Sequence, residues 1–134
     1  YFEESKLLFS ADSLMALGCG RLFEGSAEQM WHSLQKLSRL PDDTVVCSGH
    51  EYTETNSNFA LTIDPKNQDL VTRHKNIKKL RSELIPTVPS SMNDEKNTNP
   101  FLRPWCKEIR ANLDMIDATD EEVFTKIRAL KDEF

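Results

Sequence analysis

Two polar residues stand at the ends of predicted strands, where side chains can reach a bound ligand. Asp12 follows the apolar segment 6–9, and His50 follows the β-branched run 44–47. Strand ends in α/β folds project into the crevice where ligands bind, and a carboxylate with an imidazole suits zinc or iron. By spacing alone the plainer interpretation is stronger, with Asp12 capping a turn and His50 an ordinary strand-end histidine.

The elements that would position these residues are predicted by local patterns. Residues 1–2 and 6–9 suit two short strands joined by a hairpin turn, and residues 44–47 suit a buried strand. A capping-box pattern precedes a helix predicted over 27–40. Three of the four glycines lie within residues 18–25, which indicates tight turns or a backbone close to a ligand.

The second half of the chain has helical patterns instead. We expect an α/β part over residues 1–52 and a helical part over 53–134, with a loop over the four-proline segment 86–104. The apolar positions that predict two helices of this part are Leu70, Ile77, Leu80 and Leu84, then Val123, Ile127, Leu130 and Phe134.

Composition excludes several classes of function. The 134 residues, 38% of them apolar, suit one domain with a modest core. Seventeen basic against 22 acidic residues, without a basic block, argue against nucleic acid as a partner. Apolar runs are far shorter than the roughly 20 residues that span a bilayer, so no membrane partner is expected. Three unevenly spaced cysteines fit neither a disulfide framework nor a CxxC metal site, and favour a cytoplasmic location.

Six strings along the chain together resemble the glyoxalase II family, the hydroxyacylglutathione hydrolases, in order and spacing. They lie at residues 9–14, 16–25, 49–53, 86–90, 99–103 and 131–134. The resemblance implies the C-terminal part of a metallo-β-lactamase αββα sandwich over residues 1–52, followed by an all-α substrate-binding domain over 53–134. The chain would then begin within a domain.

The resemblance also implies a chemistry. This family hydrolyses S-lactoylglutathione to lactate and glutathione at a centre of two divalent metal ions, zinc with iron or manganese as alternatives. Asp12 would bridge both metals and His50 would bind one of them. Ser10 and Ala11 depart from the more familiar Thr-Gly before that Asp. The family's other metal ligands come from an N-terminal half that this sequence does not contain, so the chain alone is expected to hold no dinuclear centre and to be inactive.

Glutathione carries two carboxylates, which cationic side chains can bind. The resemblance places Arg21, Phe23, Tyr52, Arg128 and Lys131 at substrate-contacting positions, with Phe23 where some members have Tyr. Without the resemblance, Arg128 and Lys131 would be a basic last turn that balances the helix dipole.

Two alternative functions stay open at this point. A glutathione persulfide dioxygenase shares the fold and the Asp and His positions but binds one iron, and its type lacks the long helical tail. A non-catalytic piece or interaction module would keep the glutathione contacts without the chemistry.

Overall fold

A computed structural model describes residues 1–22 and 25–134 as a mixed α/β protein. Its strands are β1 (Leu7–Ala11), β2 (Leu14–Met15), β3 (Gly18–Cys19), β4 (Val45–Ser48) and β5 (Ser90–Ser91). Its helices are α1 (Ala27–Ser38), α2 (Thr53–Ile63), α3 (Gln68–Ser82), α4 (Met92–Thr98), α5 (Lys107–Asn112) and α6 (Asp120–Glu133), with a 3-10 helix at Pro100–Leu102.

The main sheet has the strand order β1-β4-β5. β1 and β4 are parallel, with Leu7 opposite Val45 and Ala11 opposite Ser48, so α1 lies in the crossover between them. The strands predicted over residues 6–9 and 44–47 are therefore confirmed. The predicted N-terminal hairpin is reduced to one bridge between Phe2 and Leu7. β2 and β3 form a separate antiparallel pair, which we call the β2–β3 hairpin (residues 14–19).

Local capping chemistry sets the start of α1 and α6. Ser26 accepts a hydrogen bond from the Gln29 amide, and Thr119 accepts one from the Glu122 amide, each completing a capping box. The predicted apolar stripes are correct except at their ends. Leu84 lies beyond α3 with a positive φ, and it is 81% exposed.

The prediction of a loop over residues 86–104 is wrong, because the segment contains β5, α4 and the 3-10 helix. Ser91 caps α4 by accepting from the Asp94 amide, so a polar residue that resembled loop composition is a helix start. The buried face of α4 carries Met92, Glu95 and Thr98. A carboxylate on that face conceals the apolar periodicity that identifies a helix.

One hydrophobic core contains residues from both predicted parts. Leu8 and Val46 of the sheet belong to the same buried cluster as Phe59, Phe101 and Phe124 of the helical part. The rings of Phe101 and Phe124 meet edge to face with centroids 5.9 Å apart. The boundary between residues 52 and 53 stays a prediction, and the two sides are joined by this core.

A buried polar network joins the β2–β3 hairpin to the helices. The Glu95 carboxylate accepts from the Leu17 amide at 2.9 Å, and Arg73 donates to its other oxygen at 2.6 Å. Asn99 donates to the carbonyl oxygens of Met15 and Gly18 at 3.2 and 3.1 Å. These side chains supply the hydrogen bonds that the buried hairpin backbone cannot obtain from water.

Replacing Asn99 by Ala should therefore lower the free energy of unfolding by about 2–4 kcal/mol, because two buried carbonyls lose their donor. Urea denaturation of the purified chain measures this change. The matched control is Asn97→Ala, which removes only an exposed hydrogen bond to Asn93 and should stay within about 0.5 kcal/mol. Equal midpoints for the two variants would contradict the role given to the network.

Candidate metal and substrate site

The ends of the two parallel strands bring Asp12 and His50 together. Asp12 follows β1, His50 follows β4 by two residues, and parallel strands end at the same sheet edge. The His50 Nε2 atom lies 3.1 Å from the Asp12 Oδ1 atom. Both side chains remain open to solvent, at 46% exposure for His50 and 65% for Asp12. An imidazole nitrogen and a carboxylate oxygen at this separation can bind the same cation.

The backbone around Asp12 permits this approach only with small residues. The Gly49 amide donates to the Ala11 carbonyl at 2.9 Å, and a Cβ on Gly49 would lie 2.9 Å from the Asp12 Oδ1 atom. A Cβ on Gly20 would lie 2.2 Å from the Asp12 carbonyl oxygen. Ala11 has a φ of 46°, a left-handed conformation that costs an L-residue energy and is enriched at functional sites.

Three cationic side chains, Arg21, Arg128 and Lys131, lie close enough to act on one another electrostatically. The pKa of Lys131 is lowered, first by burial and then by the positive charges of Arg128 and Arg21. The Lys131 Nζ atom also lies 5.8 Å from the ring centroids of both Phe59 and Phe134. The Asp132 carboxylate partly offsets these charges, because it lies 2.9 Å from the Arg128 guanidinium and acts to raise the pKa of Lys131.

Arg128 differs from the other two cations because its side chain is buried. The residue is 3% exposed, and its guanidinium donates to the carbonyl oxygens of Cys19 at 2.7 Å and Gly20 at 3.1 Å. It also donates to the Asp132 carboxylate at 2.9 Å. Burial raises the pKa of the Cys19 thiol to about 11 despite the nearby Arg128 charge, so the thiol stays protonated at neutral pH. Cys19 is a packed residue.

The segment after β4 carries three polar side chains in succession. Tyr52 is half exposed and stacks on His50, with ring centroids 4.8 Å apart and planes 9° apart. Glu51 accepts hydrogen bonds from the Thr87 amide and hydroxyl. Burial raises the pKa of Glu51, but the Thr87 hydrogen bonds and the Arg81 charge outweigh this effect, so the pKa lies below its ordinary value. Phe23 lies outside the described residues.

Two other features of the described residues do not coincide with the predicted site. A groove of about 840 Å³ between α3 and α4 is floored by residues 86–90. Its lining is mixed polar and apolar and includes neither Asp12 nor His50. Glu28, His32 and Glu121 form an exposed group on α1 and α6 with ligand atoms within 4.8 Å of one another. The 3.7 Å contact between Glu28 and His32 is an ion pair spaced four residues apart along α1, which is ordinary for a solvated helix face.

Comparison with known proteins identifies the family. The family described as "Hydroxyacylglutathione hydrolase C-terminus" matches residues 51–134. The chain belongs to the hydroxyacylglutathione hydrolase family. It is 58% identical over all 134 residues to the hydroxyacylglutathione hydrolase of Roseobacter denitrificans, and 58% identical to that of Ruegeria pomeroyi. The corresponding protein of Bartonella tribocorum is 55% identical over the same length. These matches cover 52–53% of each relative, so the chain spans about half the length of the curated relatives it matches.

The membership confirms the resemblance drawn from the six strings, and it gives the Asp12 and His50 pair a context. The sequence predicted the proximity of these two residues. It did not predict the roles of Glu51, Glu95 and Asn99, whose partners are backbone groups or distant in sequence. The Asn-Pro step at 99–100 was a usable signal, because Asn commonly caps a helix that Pro begins.

Replacing Ala11 by Gly should raise the free energy of unfolding by up to about 1 kcal/mol, because Gly adopts the left-handed conformation without a Cβ penalty. Urea denaturation checks the change. The same substitution at the exposed helical residue Ala129 should have the opposite sign, with a loss of about 0.5–1 kcal/mol. Destabilisation at both positions would show that Ala11 is not strained.

Replacing Arg128 should destabilise the protein more than replacing Lys131. Arg128→Ala removes the donor of two buried carbonyls and should lower the free energy of unfolding by about 2–4 kcal/mol. Lys131→Ala should cost less than about 1 kcal/mol, close to the exposed control Lys126→Ala on the same helix. Comparable losses for Arg128→Ala and Lys126→Ala would contradict the buried role of Arg128.

Proposed function

We propose that this chain is the C-terminal half of an enzyme that hydrolyses S-(2-hydroxyacyl)glutathione thioesters, with S-D-lactoylglutathione as the substrate and D-lactate and glutathione as products. The supporting observation is the Asp12 and His50 pair, 3.1 Å apart at a shared strand edge. The relatives named hydroxyacylglutathione hydrolase support the substrate class. In the cell this reaction would remove the glutathione adduct of methylglyoxal, in the cytoplasm.

Asp12 and His50 are proposed as ligands of a dinuclear metal centre in the intact enzyme, with zinc as the first candidate. The donor set fits, because an imidazole nitrogen and a carboxylate with two oxygens are exposed at one edge. Bound divalent metals supply Lewis-acid chemistry and a water molecule of lowered pKa. The glycines beside Asp12 leave room for its carboxylate to face that centre.

Arg21 and Lys131 are proposed to bind the glutathione carboxylates, and Tyr52 to contact the substrate beside His50. Arg21 is exposed and Lys131 is partly buried, so both side chains are accessible from solvent. The proposed contact of Phe23 with the substrate rests on the family resemblance alone. For Arg128, its hydrogen bonds to Cys19 and Gly20 support a positioning role, with direct contact to glutathione still a prediction.

The partner of this half is proposed to be the N-terminal half of the enzyme. The outward residues of β1 support this, since Phe9 is 63% exposed and meets the 62% exposed Phe2 edge to face. In a metallo-β-lactamase sandwich such a face would be covered by further sheet and helix. No helix in residues 1–22 or 25–134 is long and apolar enough to cross a membrane.

The persulfide dioxygenase alternative gains no support from the family match, which is to the hydrolase C-terminus. A thioesterase assay on a hybrid enzyme distinguishes the proposed function from the non-catalytic alternative. We define the hybrid enzyme as the N-terminal half of the Roseobacter denitrificans relative joined to residue 1 of this chain.

The chain alone should hydrolyse S-D-lactoylglutathione no faster than buffer, because a catalytic zinc normally needs three protein ligands and the proposed site draws only Asp12 and His50 from this chain. The hybrid enzyme should bind metal and turn over the thioester. Asp12→Ala in the hybrid should lower both metal content and kcat, whereas the exposed control Asp117→Ala should change neither. Full turnover by the chain alone, or by the hybrid carrying Asp12→Ala, would contradict the proposed ligand role.

A further inference from the structure

The segment between β4 and α2 carries His50 and Tyr52 without regular secondary structure. At one end the Gly49 amide donates to the Ala11 carbonyl, and at the other the Asn56 amide donates to the Tyr52 carbonyl. Among the described residues, the amides of His50, Glu51 and Tyr52 donate to no backbone carbonyl. Side-chain contacts can therefore contribute to the direction of the two aromatic side chains.

Glu51 supplies such a contact through both of its carboxylate oxygens. Its Oε1 atom accepts from the Thr87 amide at 2.5 Å, and its Oε2 atom accepts from the Thr87 hydroxyl at 2.6 Å. The Arg81 guanidinium lies 3.9 Å from Oε1. Two hydrogen bonds to one residue fix both the position and the rotation of the carboxylate. We call this pair the Glu51–Thr87 clamp.

The clamp lies between the two rings in sequence, and its contacts are separate from theirs. Gly49 and His50 form a bend, and Tyr52 has a φ of -104° and a ψ of 6°, so this segment is not a continuous extended strand. In this conformation the His50 and Tyr52 rings are stacked, with their centroids 4.8 Å apart. Glu51 reaches instead to Thr87, in the segment between α3 and β5. The hydrogen bonds to Thr87 therefore fix the residue that lies between the two rings, while the His50 ring meets Asp12.

We infer that Glu51 is a positioning residue, whose clamp on Thr87 sets the direction of the His50 and Tyr52 side chains at the candidate site. The inference rests on the proposed function for its catalytic consequence, because His50 and Tyr52 are site residues of that function. Residues that orient a metal ligand from behind typically change metal affinity or activity by about 10–100-fold when they are replaced. The competing possibility is that Glu51 only anchors the segment before β5.

The first experiment uses the 134-residue chain, so it is independent of the proposed activity. The His50–Tyr52 stack is followed by NMR, through the nuclear Overhauser contacts between the two rings and their ring-current shifts. Glu51→Ala and, to a smaller extent, Thr87→Val should weaken both signals. Glu51→Gln should restore them, because its amide can accept from the Thr87 amide and donate to the Thr87 hydroxyl. The exposed control Glu83→Ala should leave them unchanged.

Urea denaturation of the same variants separates positioning from anchoring. A lower unfolding midpoint for Glu51→Ala with an unchanged ring stack would overturn the inference, because the contact would then serve only stability. If Glu51→Ala fails to fold, the comparison of Thr87→Val with Glu51→Gln decides. Loss of the stack in Thr87→Val and its retention in Glu51→Gln supports the clamp, whereas a native stack in Thr87→Val contradicts it.

The second experiment measures turnover of metal-saturated hybrid enzyme. Glu51→Ala should lower kcat roughly tenfold or more with KM changed by less than about threefold, and Glu51→Gln should recover most of the loss. A kcat equal to that of Glu83→Ala would overturn the catalytic consequence. If the unsubstituted hybrid shows no turnover, the proposed function fails, and the ring stack in the chain alone still decides whether Glu51 positions His50.

Discussion

The backbone of the β2–β3 hairpin is buried, so its polar groups need partners other than water. Asn56, Glu95, Asn99 and Arg128 supply them, reaching from α2, the end of α4 and α6 to residues 15–20. Each buried polar group left unsatisfied would cost about 1–3 kcal/mol. The buried hairpin is therefore stable only when all three helical regions pack on it. The same hydrogen bonds fix the orientation of those regions.

This constraint extends to the candidate site through one glycine. The Gly20 carbonyl accepts from Arg128, while the other side of the residue packs against the Asp12 carbonyl with no room for a Cβ. The same contact thus sets the distance between the Asp12 edge and the cations of α6. Left-handed conformations at Ala11 and Leu17 persist on either side because the surrounding hydrogen bonds hold them. The chemistry proposed for this edge depends on a buried polar network that contacts no substrate.

Sequence patterns predicted the features whose causes are local. Capping boxes and apolar periods located α1 and α6, and a β-branched run located β4, from which the proximity of Asp12 and His50 follows for parallel strands. The helix α4 was missed because its buried face contains Glu95, whose partners are distant in sequence. The burial of Arg128 was missed for the same reason, since its acceptors are backbone carbonyls that no residue pattern encodes. The assignment of metal and glutathione roles came from the resemblance and stays a proposal.

The solvent exposure of the candidate site bears on how the proposed metal centre would gain its remaining ligands. The proposed function draws two metal ligands from this chain, Asp12 and His50, and both side chains are open to solvent, as are the rings of Phe2 and Phe9. Two solvent-exposed ligands hold a divalent metal weakly. Tight binding normally requires three or four protein ligands and a shell of protein that limits access of water. The curated relatives contain about as much chain again as this one. In the proposed function, the N-terminal half packs on the phenylalanine rings and covers this apolar face. The same interface would exclude water from the strand edge and add the remaining metal ligands, so burial of the apolar face and metal affinity would have one origin.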